Sequence, residues 1–134
     1  MALNRVHFLL VSLFALSVLS DDNHNTLLTQ FKTHIDECID EIQVDKEIVE
    51  KSFKEGEFPD DKNLKCFFHC LHVKLNILNE DGVLNVEGMK NAILSVVNDK
   101  NKATLMENCS KIQKVDKCDT AFEMSKCFRT NLIG

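Results

Sequence analysis

The chain has 134 residues, room for one ordinary domain, with one Pro, four Gly, six Cys, nine Phe and neither Trp nor Tyr. A net charge of −5 at pH 7 without clustered Lys or Arg excludes the counterion displacement that phosphate backbones demand, so no nucleic-acid partner is expected. The scarcity of Gly and Pro argues against strands joined by tight turns.

Met1–Arg5 ends in a positive charge, and Val6–Leu19 is apolar apart from His7, Ser12 and Ser17. Residues 1–20 read as a secretory signal peptide, cut at Ser20–Asp21 or, as a second option, after Ser17. The run is shorter than the roughly 20 apolar residues of a spanning helix. The mature chain, 21–134, is therefore expected to be extracellular and not inserted in a membrane. Without Arg5 its sole arginine is Arg129.

Six helices are expected. Leu27, Leu28, Phe31, Ile35, Cys38, Ile39 and Ile42 recur at steps of three and four, with Thr26 available as a cap. A second helix runs from about Asp45 to Glu55 and stops at Gly56; Phe58-Pro59-Asp60-Asp61 is a turn with acidic caps. The third, from about Asp61 to Ile77, is apolar nearly all round, the mark of a central helix. After a turn at Asn79-Glu80-Asp81-Gly82, Asn85 caps a fourth helix reaching Val97, and Asn98-Asp99-Lys100-Asn101 breaks it. The fifth covers about Lys102 to Val115. Thr120 and Glu123 form a capping box for the sixth, and Thr130–Gly134 is a tail.

The cysteines are Cys38, Cys66, Cys70, Cys109, Cys118 and Cys127, separated by 27, 3, 38, 8 and 8 residues. An even count in a secreted chain is a disulfide framework. Cys66 and Cys70 lie one helical turn apart, poor geometry for a bridge. Of the fifteen pairings six cysteines allow, about twelve survive that exclusion.

These spacings, the segment Leu64-Lys65-Cys66-Phe67-Phe68-His69-Cys70-Leu71 and the turn Asn79-Glu80-Asp81-Gly82-Val83-Leu84 together resemble the insect pheromone-binding and general odorant-binding proteins, over nearly all of the mature chain. The resemblance implies an all-α fold of six short helices around an apolar pocket, braced by the interlocked pairs Cys38–Cys70, Cys66–Cys118 and Cys109–Cys127. It implies a carrier of a small hydrophobic ligand (an odorant, pheromone or fatty acid), with no cofactor and with a membrane chemoreceptor as the candidate protein partner. The fourth helix has no cysteine and is the least restrained wall.

Phe68, His72 and Leu75 share one face of the third helix, the face that lines the pocket in the resembling proteins and extends to Ile77. Phe31, Ile35, Leu84, Met89, Ile93, Val96 and Phe122 join them as candidate ligand contacts, with Leu132 and Ile133 in a tail that folds over the mouth. Each apolar residue among these is by default core. His72 has two readings, a packed histidine satisfied by a backbone group, or an anchor for a hydroxyl, carbonyl or carboxylate.

Other chemistries fit poorly. Cys66, His69, Cys70 and His72 lack the paired spacing of a zinc ribbon, and read as two disulfide halves with one exposed and one packed histidine. A calcium loop with Gly82 at its sixth position would place Ile77 and Gly88 where carboxylates belong. There is no Gly-x-Ser-x-Gly elbow, His-Glu-x-x-His pair or phosphate loop, so no enzyme is expected. The acidic run Asp36, Glu37, Asp40, Glu41, Asp45, Glu47 and Glu50 reads as a solvated face. The competing function is a secreted interaction protein with a filled core that acts through that face.

Overall fold

The computed structural model describes the backbone of residues 22–94 and 99–133, and side chains within 31–93 and 101–131. It holds six helices among the described residues: α1 (Asp22–Ile42), α2 (Lys46–Glu55), α3 (Lys62–Lys74), α4 (Val86–Leu94), α5 (Asp99–Cys109) and α6 (Lys117–Ile133). No strand is found among the described residues, apart from an isolated antiparallel bridge between Leu78 and Leu84. The expected signal peptide lies outside the described residues. The chain divides between Thr33 and His34, and the packing below is that of His34–Gly134.

Local chemistry sets most helix ends. The Asp45 carboxylate accepts from Glu47 N–H at 2.9 Å and starts α2. Gly56, at φ 69°, ends it in the left-handed conformation that costs glycine nothing. Asp61 caps α3 by accepting from Leu64 N–H at 2.8 Å. Asn85 accepts from Gly88 N–H at 3.1 Å at the start of α4.

Several boundaries differ from expectation. Thr26 is not a cap, because α1 is already helical at Asp22. The third helix stops at Lys74, not Ile77: Asn76 turns to φ 61°, and the His72 carbonyl accepts from both Ile77 N–H (2.8 Å) and Leu78 N–H (3.3 Å). Asp99 to Asn101, expected to break a helix, instead begin α5, where an acidic residue complements the positive end of the helix dipole. The fifth helix ends at Cys109, because Lys114 N–H is diverted to Thr120 Oγ1 at 2.9 Å and Asp116 caps α6 by accepting from Cys118 N–H (2.7 Å) and Asp119 N–H (3.1 Å). Thr120 is therefore inside α6 and is not its cap. Those two N–H donors also hold the Asp116 carboxyl below the usual range.

Helix α3 is the axis of packing. Leu64, Phe67, Phe68, His69, Leu71 and His72 are buried on it, and its main partner is α6, where Ala121, Phe122 and Met124 are buried. The disulfides are Cys38–Cys70, tying α1 to α3, Cys66–Cys118, tying α3 to α6, and Cys109–Cys127, tying α5 to α6. This is the pairing that the resemblance implies. Lysines reinforce both joints of α3. Lys65 reaches Asp60 at 2.7 Å and Asp119 at 3.2 Å. Lys74 reaches Glu37 and Glu41, both at 3.1 Å. Hydrogen bonds to these carboxylates, aided by their charge, raise both lysines above their ordinary value.

Two glycines mark close approaches. A Cβ on Gly88 would come within 1.7 Å of the Asn76 carbonyl oxygen, so α4 docks backbone to backbone on the end of α3. A Cβ on Gly82 would meet Lys117 Cβ at 2.7 Å, at the start of α6.

Gly88→Ala is expected to destabilise the protein by at least ~1–3 kcal/mol through overpacking. The exposed Lys90→Ala control should stay within about 0.5 kcal/mol; urea denaturation checks both. Replacing both halves of Cys66–Cys118 by Ala should cost about 4 kcal/mol, and of Cys109–Cys127 about 3 kcal/mol, because the first closes the longer loop. Denaturation midpoints rank the two, and the reverse order would remove loop entropy as the controlling quantity.

Candidate ligand-binding site

The expected contacts separate into groups. Phe68 and Phe122 are brought together in a cluster of phenyl rings that sequence reading did not foresee. Phe68 lies 5.9 Å from Phe53, 5.7 Å from Phe58, 5.2 Å from Phe67 and 6.5 Å from Phe122, between ring centroids. Phe58 reaches Phe122 at 5.8 Å and Phe53 reaches Phe67 at 6.4 Å, both edge to face. Such geometries match the ring quadrupoles. Lys65 and Lys126 place their ammonium groups 5.3 and 4.7 Å from the Phe122 ring centre, closing the cluster toward solvent with cation–π contacts.

Arg129 secures the other side of that cluster. Its Nε donates to the Phe53 carbonyl and its Nη2 to the Lys54 carbonyl, both at 3.1 Å. The single arginine of the described chain thus caps the C-terminus of α2 from α6.

His72 belongs to a second group. It is 3% exposed, and its Nε2 lies 3.1 Å from Ser125 Oγ on α6. Its partner is thus a side-chain hydroxyl, not the backbone group of the packed-histidine reading. The Phe128 ring sits 5.7 Å away, tilted. Nδ1 of His72 and Nε2 of His69 are buried without a hydrogen-bond partner among the described residues. His69, read as one of an exposed and a packed pair, is buried too; it points inward on the same helix three residues earlier. Burial, with repulsion from His69 added, pushes the His72 imidazole down to about 3.

The third group lies on α1, just past the end of α3 and on α4. Ile77, Met89 and Ile93 are buried, while Ile35, Leu75 and Leu84 are half-buried. Ile77 accepts from Asn85 N–H at 2.8 Å through its carbonyl, which ties the loop to the start of α4. Phe31 is half-buried and lies ahead of the division at Thr33. Val96 lies outside the described residues. The expected tail is a correction: α6 runs unbroken to Ile133, so Leu132 and Ile133 are on a helix, and their side chains are outside the described set. Asn131 helps continue the helix past Cys127 by donating to the Cys127 carbonyl at 2.8 Å.

A surface depression is found elsewhere, lined by Asp36, Ile39, Asp40, Gln43, Val44 and Lys46 at the end of α1. Its lining mixes charge with two apolar side chains and involves none of the expected contacts.

Ser125, Phe53, Phe58 and Phe128 were missed. A signal for Ser125 exists: it follows Phe122 by three residues and faces the same way, a small polar group on a buried run. Nothing along the sequence pairs it with His72, 53 residues away.

Comparison with known proteins places this architecture. The sequence profile of the PBP/GOBP family matches residues 20–131. General odorant-binding protein 69a of Drosophila melanogaster is 26% identical over 106 residues, covering 77% of this chain and 69% of that protein. Among solved structures, odorant binding protein 5 of Apis mellifera superposes with a TM-score of 0.71 at 18% identity, over 81% of this chain and 90% of that one. A fatty acid binding protein, OBP56a from the oral disk of the blowfly Phormia regina, gives 0.60 at 25% identity, over 77% and 89%. With six cysteines joined in three bridges between helices, and a family match over most of its length, the chain belongs to the PBP/GOBP family of odorant-binding proteins.

Proposed function

We propose that the protein is a secreted carrier of a small hydrophobic ligand, taken up from and delivered through an extracellular fluid. The match of residues 20–131 to the PBP/GOBP family carries this reading. The blowfly neighbour, named as a fatty acid binding protein, supports a lipid-like cargo class. In this reading residues 1–20 are removed on secretion, 21–134 form the carrier domain, and a membrane chemoreceptor is the candidate recipient. No helix among the described residues is long and apolar enough to cross a membrane.

The proposed ligand contacts are Phe68, His72, Leu75, Ile77 and Phe122 of the α3–α6 side, with Ile35, Met89 and Ile93 around them. Phe31, Leu84, Val96, Leu132 and Ile133 complete the proposal. Removing ~300 Å² of apolar ligand surface from water gives about 7 kcal/mol. After the costs of association, micromolar affinity is expected.

One observation favours the second reading, an interaction protein with a filled core. Phe68 and Phe122 already pack against Phe53, Phe58 and Phe67. Displacement of a polarity-sensitive dye from the oxidised, secreted protein separates the readings. Saturable uptake, competed by long-chain aldehydes, alcohols or acids, is the outcome for a carrier. No uptake by a folded protein with three bridges would establish the filled core.

The neutral state of His72 also bears on the fluid in which the protein is stable. Its folded value, about 3, lies below the ordinary 6.5. The unfolded chain therefore takes up a proton that the folded chain refuses. The stability tied to neutral His72 is complete above about pH 6.5 and falls as pH drops toward 3. At pH 5 the loss is about 2 kcal/mol. Denaturation curves between pH 8 and pH 5 should show it, and His72→Gln should flatten that slope; an unchanged slope would assign the pH dependence to other groups.

A further inference from the structure

We propose that Ser125 fixes His72 as a hydrogen-bond donor toward the cargo, so that the preferred ligand carries an uncharged acceptor oxygen, an aldehyde, ketone or ester carbonyl, rather than a hydroxyl or an ionised carboxylate. This rests on the carrier reading and names the chemistry of the cargo's polar end.

Proton counting supports it. His72 is neutral in the fold, so its ring holds one proton. Its Nε2 is 3.1 Å from Ser125 Oγ, and its Nδ1 is buried without a partner. With the ring proton on Nε2, the imidazole would donate to Ser125 Oγ. The hydroxyl proton would then need a second acceptor, and the hydrogen bond recorded for that hydroxyl is the one to His72. Nδ1 would keep an unmet lone pair as well. With the ring proton on Nδ1, the Ser125 hydroxyl donates to Nε2, and one group alone is left unmet, the Nδ1–H. That tautomer leaves fewer unmet groups, and its remaining want is an acceptor. A buried N–H without a partner is costly, so a ligand oxygen that accepts from it gains more than a hydrogen bond formed in water would. A hydroxyl can accept too, but its own proton then needs an acceptor of its own, a demand that a carbonyl oxygen does not bring.

An ionised carboxylate would need a cation beside it. The cations flanking this region are engaged: Lys65 with Asp60 and Asp119, Lys74 with Glu37 and Glu41, Lys126 with Glu123 at 3.5 Å, and Arg129 with the end of α2. Protonating His72 instead is opposed by burial and by His69. Ser125 is a positioning residue in this scheme; His72 is the contact.

The test uses the oxidised, secreted protein and N-phenyl-1-naphthylamine as the displaced dye. The competitors share one carbon count: dodecane, dodecanal, methyl undecanoate, dodecanol and dodecanoate. Dodecanal and the ester are expected to bind roughly tenfold tighter than dodecanol and dodecane, a difference of about 1.4 kcal/mol. Nitrogen NMR of labelled histidine should place the His72 proton on Nδ1. Ser125→Ala should mix the tautomers and bring the aldehyde-to-alcohol ratio toward one, and Ser125→Thr, which keeps the hydroxyl, should restore it. A His72 proton found on Nε2 would overturn the proposal, as would dodecanol or dodecanoate equalling dodecanal while dye and dodecane still bind. Failure of both dye and dodecane to bind would instead overturn the carrier reading beneath it. The wild-type ranking and the tautomer decide the matter even if Ser125→Ala fails to fold.

Discussion

Cys66 and Cys70 occupy successive turns of α3 and leave it for different helices, Cys66 to α6 and Cys70 to α1. Neighbours on one helix face cannot bridge each other without distorting it, so each carries its bond outward. That double stapling, with Lys65 and Lys74 bound to carboxylates beside each joint, makes α3 the element to which the others are referred. The third bridge, Cys109–Cys127, extends the frame from α6 to α5. Helix α4 carries no cysteine, and its start is held by the backbone approach of Gly88 to Asn76.

Inside this frame, apolar and polar groups are sorted along α3. One stretch is aromatic, where Phe67 and Phe68 meet Phe53, Phe58 and Phe122. The polar atoms begin at the next residue, His69, and continue one turn on at His72, both buried, with Ser125 opposite His72. A carrier needs both qualities, surface that prefers a hydrocarbon to water and a few polar groups that set orientation. Arg129 links the two regions, since the helix that brings Ser125 to His72 also closes α2 over the rings.

The acidic residues of α1 divide between two surroundings. Asp36 and Asp40 border a surface depression, while Glu37 and Glu41 are occupied by Lys74. Those two carboxylates, expected on a solvated face, thus belong to the α1–α3 joint.

Helix existence, the start of α2 near Asp45, the acidic cap at Asp61, the stop at Gly56 and the central place of α3 were legible in the sequence, because periodicity and capping are local properties. The disulfide pairing came through likeness to a known family, since spacing left about twelve pairings open. The ends of α3 and α5, the capping of α6 by Asp116 and its unbroken run to Ile133 were not legible, because competing hydrogen bonds and the approach of Gly88 decided them. The same holds for the site. The sequence by itself determined that His72 would be a polar group on an apolar face. Only the tertiary structure decided that one of its nitrogens meets Ser125 and the other stays unpaired, because that contact joins α3 to α6 across 53 residues and no local pattern encodes it.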